Sequence, residues 1–131
     1  GTVGKINSEL HGLLRINKVI QRDMQTEPLA PRGRTPFCTK PYEYFSEGGI
    51  HTCGTGDRFV TSQDDWLVEQ NVDVVDMELF AIAAVANEHH IPWISFKYIT
   101  DDANEDSGND WQEKINAGET LFLEQLKLLL T

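Results

Sequence analysis

Residues 72–102, VDVVDMELFAIAAVANEHHIPWISFKYITDD, decide the fold. Val72 to Val75 has the length of a short strand. From about Met77 to His89, the residues Met77, Phe80, Ala81, Ala84 and Val85 fall at the spacing of one helical stripe. Pro92 stops any continuation, since proline supplies no N–H and blocks the preceding turn. Trp93 to Ile99 then reads as a buried strand. A strand, a helix and a second strand in succession predict an α/β sheet with helices packed against it.

Working outward toward the C-terminus, an acidic loop from Asp101 to Asp110 leads into a last helix. Trp111, Ile115, Leu121, Phe122, Leu126 and Leu129 give that helix a broad apolar face, read as core. Toward the N-terminus, Ile50 to Cys53 reads as a short strand ending at Gly54-Thr55-Gly56-Asp57. Thr61-Ser62 followed by Gln63-Asp64-Asp65 reads as the start of a short helix, with acids in its first turn. Leu14, Ile16 and Val19 alternate with polar neighbours, which predicts one or two strands over 12–22. Residues 25–49 hold four of the five prolines and three glycines, and read as a long irregular excursion of the functional or interface-forming kind.

The composition bounds the function. The 131 residues are 40% apolar and 24% charged, which suits one folded domain. With 21 acidic residues against 11 Lys and Arg, the net charge is −10. Such a surface repels phosphate backbones and anionic membranes, so neither nucleic acid nor a membrane is the expected partner. Cys38 and Cys53 form no metal-ligand spacing and read as reduced thiols of a cytoplasmic protein. His51 beside Cys53 offers two ligands without a third, so no metal site is expected.

Three polar segments follow apolar runs: Gly54 to Val60, Asp76-Met77-Glu78, and Thr100-Asp101-Asp102-Ala103. In an open α/β sheet such segments meet at the strand ends. Glu78 and Asp101 stand 23 residues apart, enough for one helix and one strand to return the chain to one rim. Two carboxylates there can divide labour. One, kept from water, holds a proton and serves as general acid; the other, ionised, binds hydroxyls and steadies positive charge. That division suits cleavage of a glycosidic bond. The plain structural alternative is that Glu78 complements a helix N-terminus and Asp101 caps a turn.

At these residues the chain resembles the nucleoside phosphorylase/nucleosidase superfamily, and within it the 5'-methylthioadenosine/S-adenosylhomocysteine nucleosidases. Val75-Asp76-Met77-Glu78 resembles the family's ribose-binding Met-Glu motif. Thr100-Asp101-Asp102-Ala103 resembles its Ser-Asp motif. Gly54 to Val60 resembles its Gly-Asp-x-Phe segment, and Gly1-Thr2-Val3-Gly4 its small-residue turn. The four occur in the family's order along the whole chain.

The resemblance implies a three-layer α/β/α fold with a mixed central sheet. It implies hydrolysis of the N-glycosidic bond of adenine nucleosides, without cofactor or metal, by a homodimer. Asp101 would protonate or hydrogen-bond the purine N7, and Glu78 would hold the ribose hydroxyls. Met77 would pack on the ribose, Phe59 would stack on adenine, and the Val60 backbone and Ala103 N–H would face the base. Thr2 would help hold the attacking water.

Lys97 stands where the family commonly has Arg, Thr100 where it has Ser, and Lys5 where it has a second glycine. The family's earlier strands, which carry the residue that activates water, have no counterpart here. The chain is therefore expected to be the C-terminal portion of a longer protein, with a naturally short relative as the alternative, and little activity is expected of these residues alone. Transfer to phosphate is the nearest alternative, although Arg22, Arg32 and Arg34 are the only clustered arginines and lie in or beside the excursion. An inert nucleoside-binding or interaction fragment is another. A calcium loop over Asp102 to Glu113 is a third, weakened by Ser107 where the turn wants glycine and by a strand before it.

Overall fold

A computed structural model describes all 131 residues. Its strands are β1 (Thr2–Lys5), β2 (Leu13–Gln21), β3 (Glu43–Phe45), β4 (His51–Thr55), β5 (Val74–Asp76) and β6 (Phe96–Asp101). Its helices are α1 (Asp65–Glu69), α2 (Leu79–Glu88), α3 (Ser107–Lys114) and α4 (Glu119–Leu130). The strands form one mixed sheet in the order β3-β2-β4-β5-β1-β6, flanked by the helices.

β2 gives the sheet its curvature. Its first residues, Leu13 to Arg15, pair antiparallel with β6, and its later ones, Ile16 to Gln21, pair parallel with β4. One strand thus joins both sides of the sheet and curls it closed, leaving β3 paired outside along Lys18 to Ile20. A register shift between Ile16 and Lys18 explains the uneven apolar spacing. Leu14 and Ile16 are buried at even positions, and beyond the shift Val19 takes over the same core.

Alternation of side chains across the strands makes two apolar clusters. Val19 and Val74 join Val3, Leu14, Ile16, Cys53 and the α2 residues Leu79 and Ala83. Their chain neighbours Ile20 and Val75 join Val60, Leu67, Val72 and Ala103. The buried Cys53 thiol is pushed well up by desolvation first and by nearby Asp76 second, so it stays neutral packing material.

Several expectations are corrected. Gly1 to Gly4 is not simply a turn, because Thr2 to Lys5 is a central strand between β5 and β6. The excursion contains β3, which folds against β2. Arg32 pins the excursion down: its guanidinium makes two bonds of 3.0 and 2.7 Å to Asp64, lies 4.3 Å from the Trp66 ring, and donates to the Arg22 carbonyl. Asp64, rather than Thr61 or Ser62, caps α1, and the bond to Arg32 holds its carboxyl below the usual range. The last helix is two, separated near Gly118, whose backbone lies against the Tyr98 ring.

The helical stripes also differ. α2 buries Leu79 and Ala83, while Met77, Ala81 and Val85 are exposed. α4 buries no residue: Leu126 and Leu129 are each 51% exposed and Phe122 is half-buried. Trp111 is half-buried as well, and it lines a cavity. No helix is long and apolar enough to cross a membrane.

Candidate active site

A cavity of about 350 Å³ lies against β1. Thr2, Val3 and Gly4 form its floor, Arg58, Phe59 and Val60 one wall, and Val75, Asp76, Met77 and Glu78 another; Arg22, Thr100, Asp101 and Trp111 complete it. Its size suits a small organic ligand. Six of the seven residues singled out from the sequence, Thr2, Phe59, Val60, Met77, Glu78 and Asp101, meet around it. The seventh, Ala103, does not line it. Ala103 is buried with φ of 51°, and its N–H is spent on Asp101 Oδ1 at 2.8 Å, so it is not offered to a ligand.

The convergence differs from the expected single rim. β1 runs antiparallel to β5 and parallel to β6, so β6 runs opposite to β5 with β1 between them. Asp101 and Glu78 thus reach the cavity from opposite directions across one short strand. Small residues make this possible. A Cβ on Gly4 would lie 2.4 Å from Asp101 Oδ1, so the carboxyl rests directly on the β1 backbone.

Asp101 is held asymmetrically. Oδ1 accepts from Ala103 N at 2.8 Å and from the fully buried Ser107 hydroxyl at 2.9 Å. Oδ2 has only the 3.4 Å approach of Thr100 Oγ1. Ser107 Oγ also lies 3.2 Å from the Val60 carbonyl, so its single hydrogen, given to the nearer Asp101, sits between the acid and the wall carrying Phe59. Ser107 opens α3, and the helix that begins there takes up residues an EF-hand loop would need.

Glu78 stands at the N-cap position of α2 but makes no capping bond with its side chain. Asp76 does that work, accepting from Leu79 N at 3.0 Å, while Thr55 Oγ1 accepts from Phe80 N at 3.0 Å and donates to Asp76 at 2.5 Å. Glu78 is thereby spared from capping and lines the cavity with its side chain 47% exposed, its Oε2 accepting from Met77 N at 3.2 Å. Lys97 sits behind the two acids. Its ammonium is 2.8 Å from Asp76 Oδ2 and bonds to Glu78 Oε1. Burial pulls the Lys97 ammonium down, but the charges and bonds of Asp76 and Glu78 outweigh it, leaving the group raised.

The aromatic wall is built by Phe59 and Trp111, whose rings meet edge to face with centroids 6.4 Å apart. Trp111 Nε1 donates to Thr2 Oγ1 at 3.1 Å, which fixes the indole across the floor. Sequence reasoning missed Ser107, placed Trp111 in the core, and read Arg22 as part of a loose cluster. Only Lys97 and Asp76, inside or beside recognised motifs, carried a local signal.

This architecture matches a family model. The chain belongs to the phosphorylase superfamily, whose model matches residues 1–131. Among solved structures it is similar to a mutant Helicobacter pylori 5'-methylthioadenosine/S-adenosylhomocysteine nucleosidase holding 5'-methylthioadenosine in its active site. The TM-score is 0.89 at 20% identity, over 99% of this chain and 65% of that one. It is also similar to the futalosine hydrolase of H. pylori, with a TM-score of 0.81 at 19% identity over 90% of this chain and 60% of that one. A Streptococcus pyogenes S-adenosylhomocysteine nucleosidase in complex with 5-methylthiotubericidin gives 0.79 at 22% identity, over 90% and 59%. The chain therefore spans about 65% of the first neighbour's length. No curated protein sequence matches it.

Proposed function

We propose that the whole protein hydrolyses the N-glycosidic bond of an adenine nucleoside of the 5'-methylthioadenosine or S-adenosylhomocysteine type. The observation that carries the reading is the asymmetric anchoring of Asp101 inside the cavity that Glu78 also lines. With Oδ1 occupied by two donors, Oδ2 is the oxygen left to carry a proton to N7 of the base. Protonation turns the departing purine into a neutral leaving group. As the bond breaks, positive charge develops on the ribose. The Glu78 carboxylate binds the ribose hydroxyls and offsets that charge, and Lys97 keeps the carboxylate oriented. Met77 packs on the sugar, and Phe59, with the Val60 backbone beside it, holds the base. Water adds to the anomeric carbon near Thr2 and loses its proton to solvent, from which Asp101 regains the proton given to the base, so adenine and the free sugar are the net products.

Water is favoured over phosphate as acceptor because the buried arginine of the cavity is engaged, and the other, Arg58, is largely exposed beside Asp23. Arg22 is spent on carbonyl groups and Asp23, and Arg58 Nε lies 3.7 Å from Asp23. A cytoplasmic homodimer acting in methionine salvage belongs to the same proposal. Incubating the whole protein with 5'-methylthioadenosine in phosphate buffer tests it. The expected sugar product is free 5-methylthioribose; the 1-phosphate sugar would establish the phosphorylase alternative, and no release of adenine would reject both.

A further inference from the structure

Arg22 is the most deeply buried charged residue in the molecule, with 1% of its surface exposed. Burying a guanidinium is costly unless nearly every N–H is paired. Here Nε donates to the Gly54 carbonyl at 3.1 Å. Nη2 donates to the Arg58 carbonyl at 2.6 Å and the Asp76 carbonyl at 3.1 Å, and Nη1 to Asp23 Oδ1 at 3.3 Å. The acceptors belong to the ends of β4 and β5 and to the loop after β4.

Asp23 continues the arrangement. Its Oδ2 accepts from Asp57 N at 2.8 Å, and its Oδ1 lies 3.7 Å from Arg58 Nε. The loop backbone is pressed onto the pair. A Cβ on Gly56 would lie 2.4 Å from Asp23 Oδ2 and 2.7 Å from Arg22 Cζ, so only glycine fits there. The residues so held, Gly56 to Arg58, run directly into Phe59 and Val60, the wall of the cavity.

The geometry points to Arg22 and Asp23 as a positioning pair that sets the base-binding loop Gly56–Val60 and so governs affinity for a flat heterocyclic base. The pair acts through the loop: Asp23 does not line the cavity, and Arg22, which does, has its N–H groups taken by three carbonyls and Asp23. A planar fork is required, because three carbonyls in different directions are met by one guanidinium; an ammonium at the same place lacks the reach and the fixed spread. This inference rests on the nucleoside reading only for the nature of the ligand. The fastening of the loop stands on its own bonds.

The test uses the whole protein and the variants Asp23→Ala and Arg22→Lys. Hydrogen exchange is followed at residues 56–60 and at β2 and β5. Binding of free adenine and of ribose is measured separately by calorimetry, with the melting temperature as control. The expected result for Asp23→Ala is faster exchange confined to 56–60, adenine affinity lowered about tenfold as one charge-assisted bond is lost, and unchanged ribose binding. Arg22→Lys is expected to show the same pattern, since retained charge does not replace the fork.

Unchanged exchange at 56–60 in a folded Asp23→Ala variant overturns the inference. So does equal loss of adenine and ribose binding with a general rise in exchange, which a merely structural pair would give. If Arg22→Lys does not fold, Asp23→Ala alone decides. Failure of the unaltered protein to bind adenine rejects the nucleoside reading, while the exchange measurement still judges the pair.

Discussion

Asp101 is useful because its two oxygens have different surroundings. Ala103 N and Ser107 Oγ hold one of them, and the other is left to a single 3.4 Å contact. Ser107 therefore matters to the chemistry without lining the cavity. Ser107→Ala removes one of the two donors to Oδ1, together with the hydroxyl facing the Val60 carbonyl. A hydrogen bond to a charged group contributes roughly 1.5–3 kcal/mol, so kcat of the whole protein is expected to fall at least about tenfold. An unchanged kcat would show that the Ala103 N–H holds the acid by itself. Asp101 and Glu78 were legible in the sequence because each ends a short apolar run and sits in a recognisable motif. Ser107 was not, because its only signal is a serine in an acidic loop six residues past Asp101. Arg22 was not legible either: the pairing that brings the end of β2 beside β4 is a tertiary fact, and a basic residue near a proline-rich stretch carries no mark of burial.

At the scale of elements, α2 shows how far periodicity reaches. The strand, helix and strand around it were readable, but the buried stripe was displaced. The helix begins at Leu79 because Asp76 and Thr55 receive its first N–H groups from the strand ends. That cap turns Leu79 and Ala83 inward and leaves Val85 at the surface. Leu79→Ala is accordingly expected to destabilise the protein by about 3 kcal/mol, the cost of emptying a packed core site, and Val85→Ala by less than about 0.5 kcal/mol. Equal losses in chemical denaturation would return the stripe to its sequence-predicted place. β1 and β3 were missed for a related reason. They are 4 and 3 residues long, too short to show alternation, and neighbours on both sides stabilise β1. The face of α4 was read as core from Leu121, Phe122, Leu126 and Leu129, yet in this chain the leucines are exposed and Phe122 is half-buried.

For the whole molecule, the class of fold was legible and the path of the sheet was not. An α/β order of elements states nothing about β2 pairing with both β4 and β6, or about β6 running opposite to β5. Those two features bring Asp101 and Glu78 to one cavity from opposite directions. The acidic charge of −10, read first as exclusion of nucleic acid, fits a cavity whose one buried arginine, Arg22, is spent on holding its walls. The central claim is that Asp101 supplies the proton that releases the base. Single-turnover release of adenine from 5'-methylthioadenosine, by the whole protein and by its Asp101→Asn variant, tests it most directly. The expected result is adenine release by the unaltered protein and a loss of at least about a hundredfold in Asp101→Asn, with substrate affinity largely kept. Adenine release by Asp101→Asn at the unaltered rate would contradict the account.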